Sequence, residues 1–447
     1  MFSPGTIIAG RWSNPYLKDK NYFGNLFIYE EKAVLKIYFS QDQLKAQEYR
    51  ELIELFKDNK SSIFYGYHEA LPHIYGYTLV DNHIKESVAN DVYVFYYGEL
   101  CIETRAIYEG IILEKYDEKI IAKAVLKTSY ANKWIPSYDI KMNSKKGRLP
   151  EQISYSLKQK TYHIFSTKTL DIDFISGLNV RKEFNVGQKI VLQNEVRIEI
   201  SAKTKINLET VMRYITYINS FIMLCSGNNS DITDVELYYD YNQKFPNKCW
   251  FKTTKGRETK YDNIIDFNTI TQWDVVFSRW NNLCLKRIEI LNMLFYILRF
   301  PEKFIPEMKT ENLVHIFEGL MRYKYGKIVS VQGKNLKLFN PNKNYTQEII
   351  SSGNLLGKFI FFFLENKRQF FHEDFKRFAL SDTEATYVSF IQNCITLRDY
   401  FSHGGFDERI KTINPILLNA FLLKAVRILL IHDILGISDA EIPLERI

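Results

Sequence analysis

The stretch Val196-Arg197-Ile198-Glu199-Ile200-Ser201 decides the fold class of the first half of the chain. Its apolar residues alternate strictly with polar ones, which is the period of a strand that buries one face. Similar short runs precede it, among them Val92 to Tyr97, and two of them, Gly24 to Tyr29 and Ala33 to Phe39, flank a charged turn and predict a hairpin. Because no crossover helices separate these runs, we expect an antiparallel, sandwich-like or barrel-like domain.

Helical periodicity replaces this alternation in the second half of the chain. Apolar residues recur at spacings of three and four from Trp273 to Arg299, and Pro301 and Pro306 are expected to end this helix. A second helix is predicted from Glu311 to Tyr325, and further helical segments follow. The C-terminal part of the chain is therefore predicted to be an all-α bundle.

The length of the chain, 447 residues, is enough for two domains with their own cores. We expect a β-rich domain over residues 1–265 and an α-helical domain over residues 266–447, so the predicted fold class is α+β. The shares of apolar residues, 46%, and of charged residues, 25%, exclude a wholly disordered chain. The net charge of +7 permits a polyanionic partner without requiring one.

Cysteine usage and hydropathy predict a cytoplasmic protein. The five cysteines are scattered and form no Cys-x-x-Cys pair, so neither a disulfide framework nor a zinc ribbon is expected. The stretch from Met1 to Trp12 lacks the features of a secretory signal. Polar residues interrupt the apolar stretch from Ile413 to Ile437, and we therefore expect a packed amphipathic helix there and no membrane partner.

The segment from Ser381 to Gly405 carries the residues best suited to chemistry. Ser381-Asp382-Thr383-Glu384 fits a capping box and predicts that a helix begins there. Arg398 falls on the apolar stripe of that helix, four residues after Cys394. Because a buried guanidinium without a partner is costly, we expect Arg398 to meet a carboxylate, a subunit partner or a phosphate.

His403 follows Arg398 by five residues and directly precedes Gly404 and Gly405. Five residues rotate an ideal helix by about 140°, so the two side chains share a face only if the glycine-closed last turn distorts. A cation and a titratable imidazole, with no acidic metal cluster nearby in the sequence, suit metal-free RNA cleavage in which the ribose 2′-hydroxyl attacks its own phosphate. From the spacing alone, the commoner explanation is that Arg398 forms a structural ion pair and that His403 is a histidine near a helix end without a catalytic role.

Three motifs carry a resemblance to a known family. Arg398-Asp399-(x)3-His403, late in a helical domain, resembles the Arg-polar-x(n)-His signature of HEPN ribonucleases. Phe317-Glu318-Gly319-Leu320 is similar to the Ala-Leu-Glu-x-Leu helix of the ApeA-type branch and departs from it at Phe317 and Gly319. The opening Gly10-Arg11-Trp12 and Gly24-Asn25-Leu26 resemble the Gly-x-Trp and Gly-x-Leu strands of the ApeA-type N-terminal β-domain.

The resemblance implies roles for the matching residues. His403 would be the general acid or base, Arg398 would hold the scissile phosphate, and Asp399 would orient the pair. Glu318 is a candidate supporting residue. The resemblance also implies a homodimer with a composite site, no cofactor and no metal, and bacterial defence in which a phage-derived trigger releases RNA cleavage, with tRNA among the candidate substrates.

Two alternatives stay open at this level. Lys324, Lys327, Lys334 and Lys337 lie among tyrosines and are candidates for RNA binding, because cations track a phosphate backbone while rings stack on bases. A solvated loop explains these lysines equally well. For the whole chain, the alternative to a nuclease is a non-catalytic β-sandwich that captures a carbohydrate or protein ligand, joined to a helical dimerisation domain.

Overall fold

A computed structural model gives the fold of the chain. The residues that it describes are 4–17, 20–29, 32–40, 50–55, 63–68, 76–80, 83–92, 95–104, 106–109, 118–135, 141–143, 152–154, 159–183, 189–251, 263–331, 356, 359–360, 363, 367, 370–371, 374, 384–403 and 413–437. The chain divides into two compact units. The first consists of Met1–Ile222 and Ser230–Lys255, and the second of Met223–Asn229 and Gly256–Ile447.

The first unit is built mainly from antiparallel strands and the second from helices, so the α+β fold class is confirmed. The two units are not contiguous in sequence, because the short segment Met223–Asn229 belongs with the helical unit. The division of the chain after residue 265 stays a prediction.

Sixteen strands lie in the described part of the first unit. They are β1 Ile7–Ser13, β2 Tyr22–Ile28, β3 Ala33–Ser40, β4 Ile63–His68, β5 Gly76–Val80, β6 His83–Val92, β7 Phe95–Thr104, β8 Ala106–Glu109, β9 Ile121–Thr128, β10 Lys141–Asn143, β11 Gln152–Ser154, β12 Lys160–Ser166, β13 Leu170–Glu183, β14 Lys189–Ile206, β15 Ile232–Tyr238 and β16 Asn247–Phe251. Fourteen form one sheet in the order β12-β13-β14-β9-β15-β16-β8-β5-β4-β1-β2-β3-β7-β6, and β10 pairs with β11. The pairings between these described strands are antiparallel, including the predicted β2–β3 hairpin.

Strand β14 contains the alternating stretch that predicts a half-buried strand. Ile198 and Ile200 are fully buried, and Glu199 between them is partly exposed, as the alternation predicts. Strand β13 pairs with β14 along its length, with Phe174 opposite Ile198. Strand β13 is not among the strands predicted from the sequence, although its apolar residues alternate with aspartates and carry the same signal.

Trp12 in β1 anchors the core of the sheet around the N-terminal strands. Its ring is fully buried, and its indole N–H donates a 3.1 Å hydrogen bond to the carbonyl oxygen of Gly24 in β2. A Cβ on Gly66 in β4 would come within 2.5 Å of Cε3 of this ring, and a Cβ on Gly24 would come within 2.5 Å of the carbonyl oxygen of Lys36 in β3. Both glycines are therefore required by close packing.

At the edge of the sheet, hydrophobic periodicity does not predict the strands correctly. The prediction of one strand from Val92 to Tyr97 is wrong, because Val92 ends β6 and Phe95, its antiparallel partner, begins β7. Strand β6 is the last strand in the sheet order, and its sequence HIKESVANDV is largely polar. Edge strands tolerate such polar sequences because one side of the strand is unpaired, so alternation does not reveal them.

Residues 50–55 are helical. The helices that follow are α1 Ala131–Trp134, α2 Leu208–Ser226, α3 Trp273–Arg299, α4 Pro306–Val331, α5 Glu384–His403 and α6 Pro415–Ile428, which extends into a π-helical segment over Leu429–Leu435. The predicted bounds of α3 are confirmed. The expectation that Pro306 only ends the preceding helix is wrong, because Pro306 is the first residue of α4. Proline fits the first helical position, since its missing N–H would have no partner there.

Capping residues lie at both ends of helix α2. The side-chain oxygen of Asn207 accepts a 3.0 Å hydrogen bond from the backbone N–H of Thr210, which is the geometry of a helix N-cap. Gly227, directly after the helix, has a positive φ of 69°, a conformation that glycine adopts without steric cost.

Helix α6 is tied to the start of α4 by buried polar side chains. The amide nitrogen of Asn419 donates to the carbonyl oxygen of Pro306 at 2.9 Å, and the hydroxyl of Thr310 donates to the side-chain oxygen of Asn419 at 2.9 Å. The continuous helix Pro415–Leu435 is long and apolar enough to cross a membrane by length and composition alone, but 61% of its most apolar window is buried inside the chain. This burial is that of a core helix, as the polar residues that interrupt the stretch predict.

Replacing Gly66 by Ala should lower the free energy of unfolding of the β-rich unit by about 1–3 kcal/mol, because the new methyl group overpacks the site occupied by the Trp12 ring. Urea unfolding measures the change. Gly177→Ala in β13 is the matched control, since its Cβ would meet only the flexible side chain of Gln159 at 3.4 Å. The control should change the stability by less than about 0.5 kcal/mol. Equal effects of the two substitutions would contradict the packing role of Gly66.

Candidate active site

The apolar side of helix α5 is buried, and Arg398 lies at the edge of this buried side. Cys394 and Leu397 are fully buried and Phe390 is nearly so. The side chain of Arg398, the next residue after Leu397, keeps 21% of its surface exposed. Burial raises the pKa of the Cys394 thiol, so this cysteine stays protonated and serves as a packing residue.

The guanidinium group of Arg398 meets two carboxylates. Its Nε and Nη2 donate to Oδ1 of the adjacent Asp399 at 2.9 and 2.7 Å. Its Nη1 lies 3.7 Å from Oε2 of Glu318 in α4, which is an ion-pair distance but longer than a hydrogen bond. The expectation that Arg398 meets a carboxylate is thus fulfilled within a single chain.

Glu318 is shared between two arginines. Its Oε1 accepts hydrogen bonds from Nε and Nη2 of Arg322, one helical turn later, at 3.1 and 2.6 Å, while its Oε2 faces Arg398. The side chain of Glu318 is only 13% exposed, whereas that of Arg322 is 52% exposed. We call Glu318, Arg322, Arg398 and Asp399 the arginine–carboxylate cluster; its two positive and two negative charges balance.

Helix α4 positions Glu318 through its apolar neighbours. Phe317 is fully buried, and its ring meets the edge of Phe363 at a centroid distance of 5.3 Å. Gly319 lies where α4 comes close to α3, since an added Cβ would lie 2.3 Å from Cδ1 of Ile290. The departures at Phe317 and Gly319 from the Ala-Leu-Glu-x-Leu form therefore serve helix packing, and Glu318 still faces Arg398.

His403 is the last residue of α5, and its side chain lies outside the described residues. The same holds for Ser381 to Thr383 of the predicted capping box and for Gly404 and Gly405. The backbone places His403 five residues beyond Arg398 in one continuous helix, which corresponds to a rotation of about 140°. The joint action of Arg398 and His403 stays a prediction.

The predicted RNA-binding lysines are only partly described. Lys324 is exposed on α4. Lys327 belongs to the same helix, which runs to Val331, but its side chain lies outside the described residues. Lys334 and Lys337 lie wholly outside them. RNA binding by these lysines stays a prediction.

Arg322 is the residue of the cluster that is not predicted from the sequence. Its signal is the spacing of four residues after Glu318, at which oppositely charged side chains meet on a helix. With Arg398 it gives the cluster two guanidinium groups, the side chains best suited to planar, bidentate recognition of a phosphate. The arrangement can bind an oxyanion where Glu318 now provides the negative charge. Within the described part of the chain, no group of three or more His, Cys, Asp or Glu side chains could hold a metal ion.

A family model described as ApeA N-terminal domain 1 matches residues 8–280. The match covers more than half of the chain, from β1 into α3, and stops before Glu318 and Arg398. No curated protein and no solved structure matches the chain. The resemblance of the opening strands is therefore confirmed, whereas that of the helical C-terminal part stays a prediction.

Replacing Glu318 by Gln should lower the free energy of unfolding of the helical unit by about 1–3 kcal/mol, because Arg398 and Arg322 lose a largely buried counter-charge. Thermal or urea unfolding measures the loss. Glu311→Gln in the same helix is the matched control, since the ion-pair partner of Glu311 among the described residues is the more exposed His315, at 3.7 Å, and a surface pair contributes less than about 1 kcal/mol. If both substitutions have the same small effect, the carboxylate of Glu318 does not stabilise the cluster.

Proposed function

Because the chain belongs to the ApeA-type family of anti-phage defence proteins, we propose that its helical unit is a metal-independent endoribonuclease of the HEPN type. The observation that carries the proposal is the arginine–carboxylate cluster, in which Arg398 is largely withdrawn from water five residues ahead of His403. A guanidinium group held in this way suits recognition of a phosphodiester, which RNA supplies together with an internal nucleophile.

The proposed reaction is an internal transfer at phosphorus. A base removes the proton of the ribose 2′-hydroxyl while the 2′-oxygen forms a bond to the adjacent phosphorus. The bond from phosphorus to the 5′-oxygen breaks, and that oxygen takes up a proton. The products are a 2′,3′-cyclic phosphate and a 5′-hydroxyl end. His403 is the proposed proton donor or acceptor, because its ordinary pKa of about 6.5 allows both forms near neutral pH.

The contacts of Arg398 suggest how it would act on the phosphate. Asp399 engages Nε and Nη2, which orients the guanidinium plane. Among the described residues, Nη1 has only the longer contact to Glu318. A phosphate oxygen that takes the place of Glu318 would gain this donor, and the interaction would strengthen as negative charge develops in the transition state. We assign Asp399 the orienting role and Glu318 the role of a resting counter-ion.

The biological setting of the proposal follows from the family. The β-rich unit would sense a phage-derived trigger, and the helical unit would then cleave cellular RNA, with tRNA as a candidate, so that growth of the infected cell stops. Two protomers would face each other as a homodimer and build a composite site in the cytoplasm. Exposed Lys324 and its neighbours in the sequence are candidate contacts to the RNA backbone.

Purified protein incubated with total RNA in EDTA tests the reaction. His403→Ala should slow cleavage at least a hundredfold, since general acid–base catalysis contributes about 10²–10⁴. Arg398→Lys should also lose most activity, because lysine lacks the planar guanidinium group in which Nε and Nη2 are held by Asp399 while Nη1 remains for the phosphate. His315→Ala, a change at an exposed histidine of α4, is the matched control and should keep the wild-type rate.

Cleavage that requires added metal, or that is undiminished in His403→Ala, contradicts the mechanism. Mapping of RNA ends in infected cells tests the reaction after the phage-derived trigger has activated the protein. Cells with the wild-type protein should then contain RNA with 2′,3′-cyclic phosphate ends, and cells with His403→Ala should not. If both variants match wild type in RNA ends and in growth on overexpression, while the full chain binds a carbohydrate or protein ligand, the non-catalytic alternative holds.

The assembly state provides a separate check. Sedimentation equilibrium should give twice the mass of one chain, because a composite site needs two protomers. A chain that stays monomeric at micromolar concentration and still cleaves RNA would contradict the composite site while leaving the assignment of His403 intact.

A further inference from the structure

A cavity of about 340 Å³ lies against α3 and α4 in the helical unit. We call it the basic cavity, and its lining side chains are Arg279, Asn282 and Lys286 from α3, Tyr323 and Lys324 from α4, and Ile434 from the segment after α6. Arg279, Asn282 and Lys286 are separated by three and four residues and therefore share one face of α3. Five of the six side chains offer a hydrogen-bond donor.

The charge of the basic cavity is positive throughout. Arg279, Lys286 and Lys324 carry three positive charges, and no carboxylate is present among the described lining residues. Lys286 and Lys324 are both exposed, and neither has an ion-pair partner within the described part of the chain. Three like charges around one cavity repel each other, and an anion that enters relieves this repulsion.

Arg279 is fixed at the cavity by a contact with the backbone. Its Nη1 donates a 2.7 Å hydrogen bond to the carbonyl oxygen of Leu435, at the end of the segment after α6. Gly436 makes this approach possible, because it has a positive φ of 75° and an added Cβ would lie 1.9 Å from Nη1 of Arg279. The contact uses one of the five N–H donors of the guanidinium group and orients the rest of the group.

The neutral side chains of the cavity are organised as well. The amide nitrogen of Asn282 donates to the hydroxyl oxygen of Tyr323 at 3.2 Å. Burial raises the pKa of Tyr323, so its hydroxyl keeps its proton near neutral pH and remains a donor. Helix α3 is interrupted at Arg287, whose φ of −143° and ψ of 32° are not helical, directly after Lys286. The three lining residues of α3 thus lie in the regular helical stretch that ends directly before this interruption.

The basic cavity is distinct from the arginine–carboxylate cluster. Arg322 of the cluster and Tyr323 of the cavity are adjacent in α4, and adjacent residues point about 100° apart around a helix. The cluster lies toward α5, where Glu318 contacts Arg398, whereas Tyr323 contacts Asn282 of α3. One helix thus supplies residues to two separate groups of polar side chains.

We propose that the basic cavity binds the phosphate group of a small phosphorylated molecule. Three cations and two neutral polar side chains match the charge and the several acceptor oxygens of a phosphate monoester. The cavity volume falls at the lower end of the range for small-molecule sites, about 300–1,000 Å³, which favours a ligand the size of a mononucleotide over a longer polymer. A phosphodiester of RNA presents related chemistry, and the experiment separates the two sources.

Isothermal titration of the full chain with inorganic phosphate, AMP and a short single-stranded RNA tests the proposal. We expect AMP to bind, with Lys286→Gln and Lys324→Gln each weakening its affinity at least tenfold. Lys303→Gln is the matched control, because it also removes one positive charge from an exposed position of the helical unit, in the short helix Pro301–Lys303 after α3 and outside the lining of the basic cavity. The control should change the affinity less than twofold.

Binding of AMP or phosphate that is lost in the two lysine variants and kept in Lys303→Gln supports the proposal. Binding of RNA alone, weakened by the same two variants, overturns the small ligand and assigns the cavity to the RNA backbone. No binding of any probe, or equal weakening by all three substitutions, overturns the site itself. Titration measures binding and not cleavage. A negative binding result therefore does not contradict the proposed ribonuclease activity, and the binding test remains valid if the protein does not cleave RNA.

Discussion

The helical unit depends on keeping one guanidinium group charged while most of its surface is withdrawn from water. Arg398 is 21% exposed, and the cost of its desolvation is offset by Asp399 beside it and by Glu318 from another helix. The carboxylates come from α4 and α5, so these helices must meet in one register for the charges to match. Arg322 completes the balance, because without it the cluster would carry a net negative charge.

The β-rich unit depends on a constraint of a different kind, which is steric. The indole of Trp12 is fully buried and hydrogen-bonded to the backbone of Gly24, and Gly66 leaves room for its ring. The glycine and tryptophan positions that mark the family at the N-terminus are thus explained by packing. The residues suited to chemistry lie instead at the other end of the chain, where charged groups are brought together inside a helical unit.

Much of the fold follows from local patterns, and the exceptions have physical causes. The bounds of α3 and the burial of Ile198 and Ile200 follow from periodicity, because each reflects one element with a single buried face. Periodicity does not predict strand β6, because an edge strand can be polar. It does not predict the start of α4 at Pro306 either, because a proline can end one helix and can also be the first residue of the next.

The sequence by itself determined the α+β class, the extent of the principal helix α3 and the need of Arg398 for an anionic partner. Only the tertiary structure decided that Glu318 from another helix is a partner beside the adjacent Asp399, that Arg322 shares Glu318, and that Arg279, Lys286 and Lys324 surround one cavity. The reason is physical. Periodicity and capping are properties of neighbouring residues, whereas the pairing of charges from different helices depends on how those helices pack, and no local pattern encodes that register.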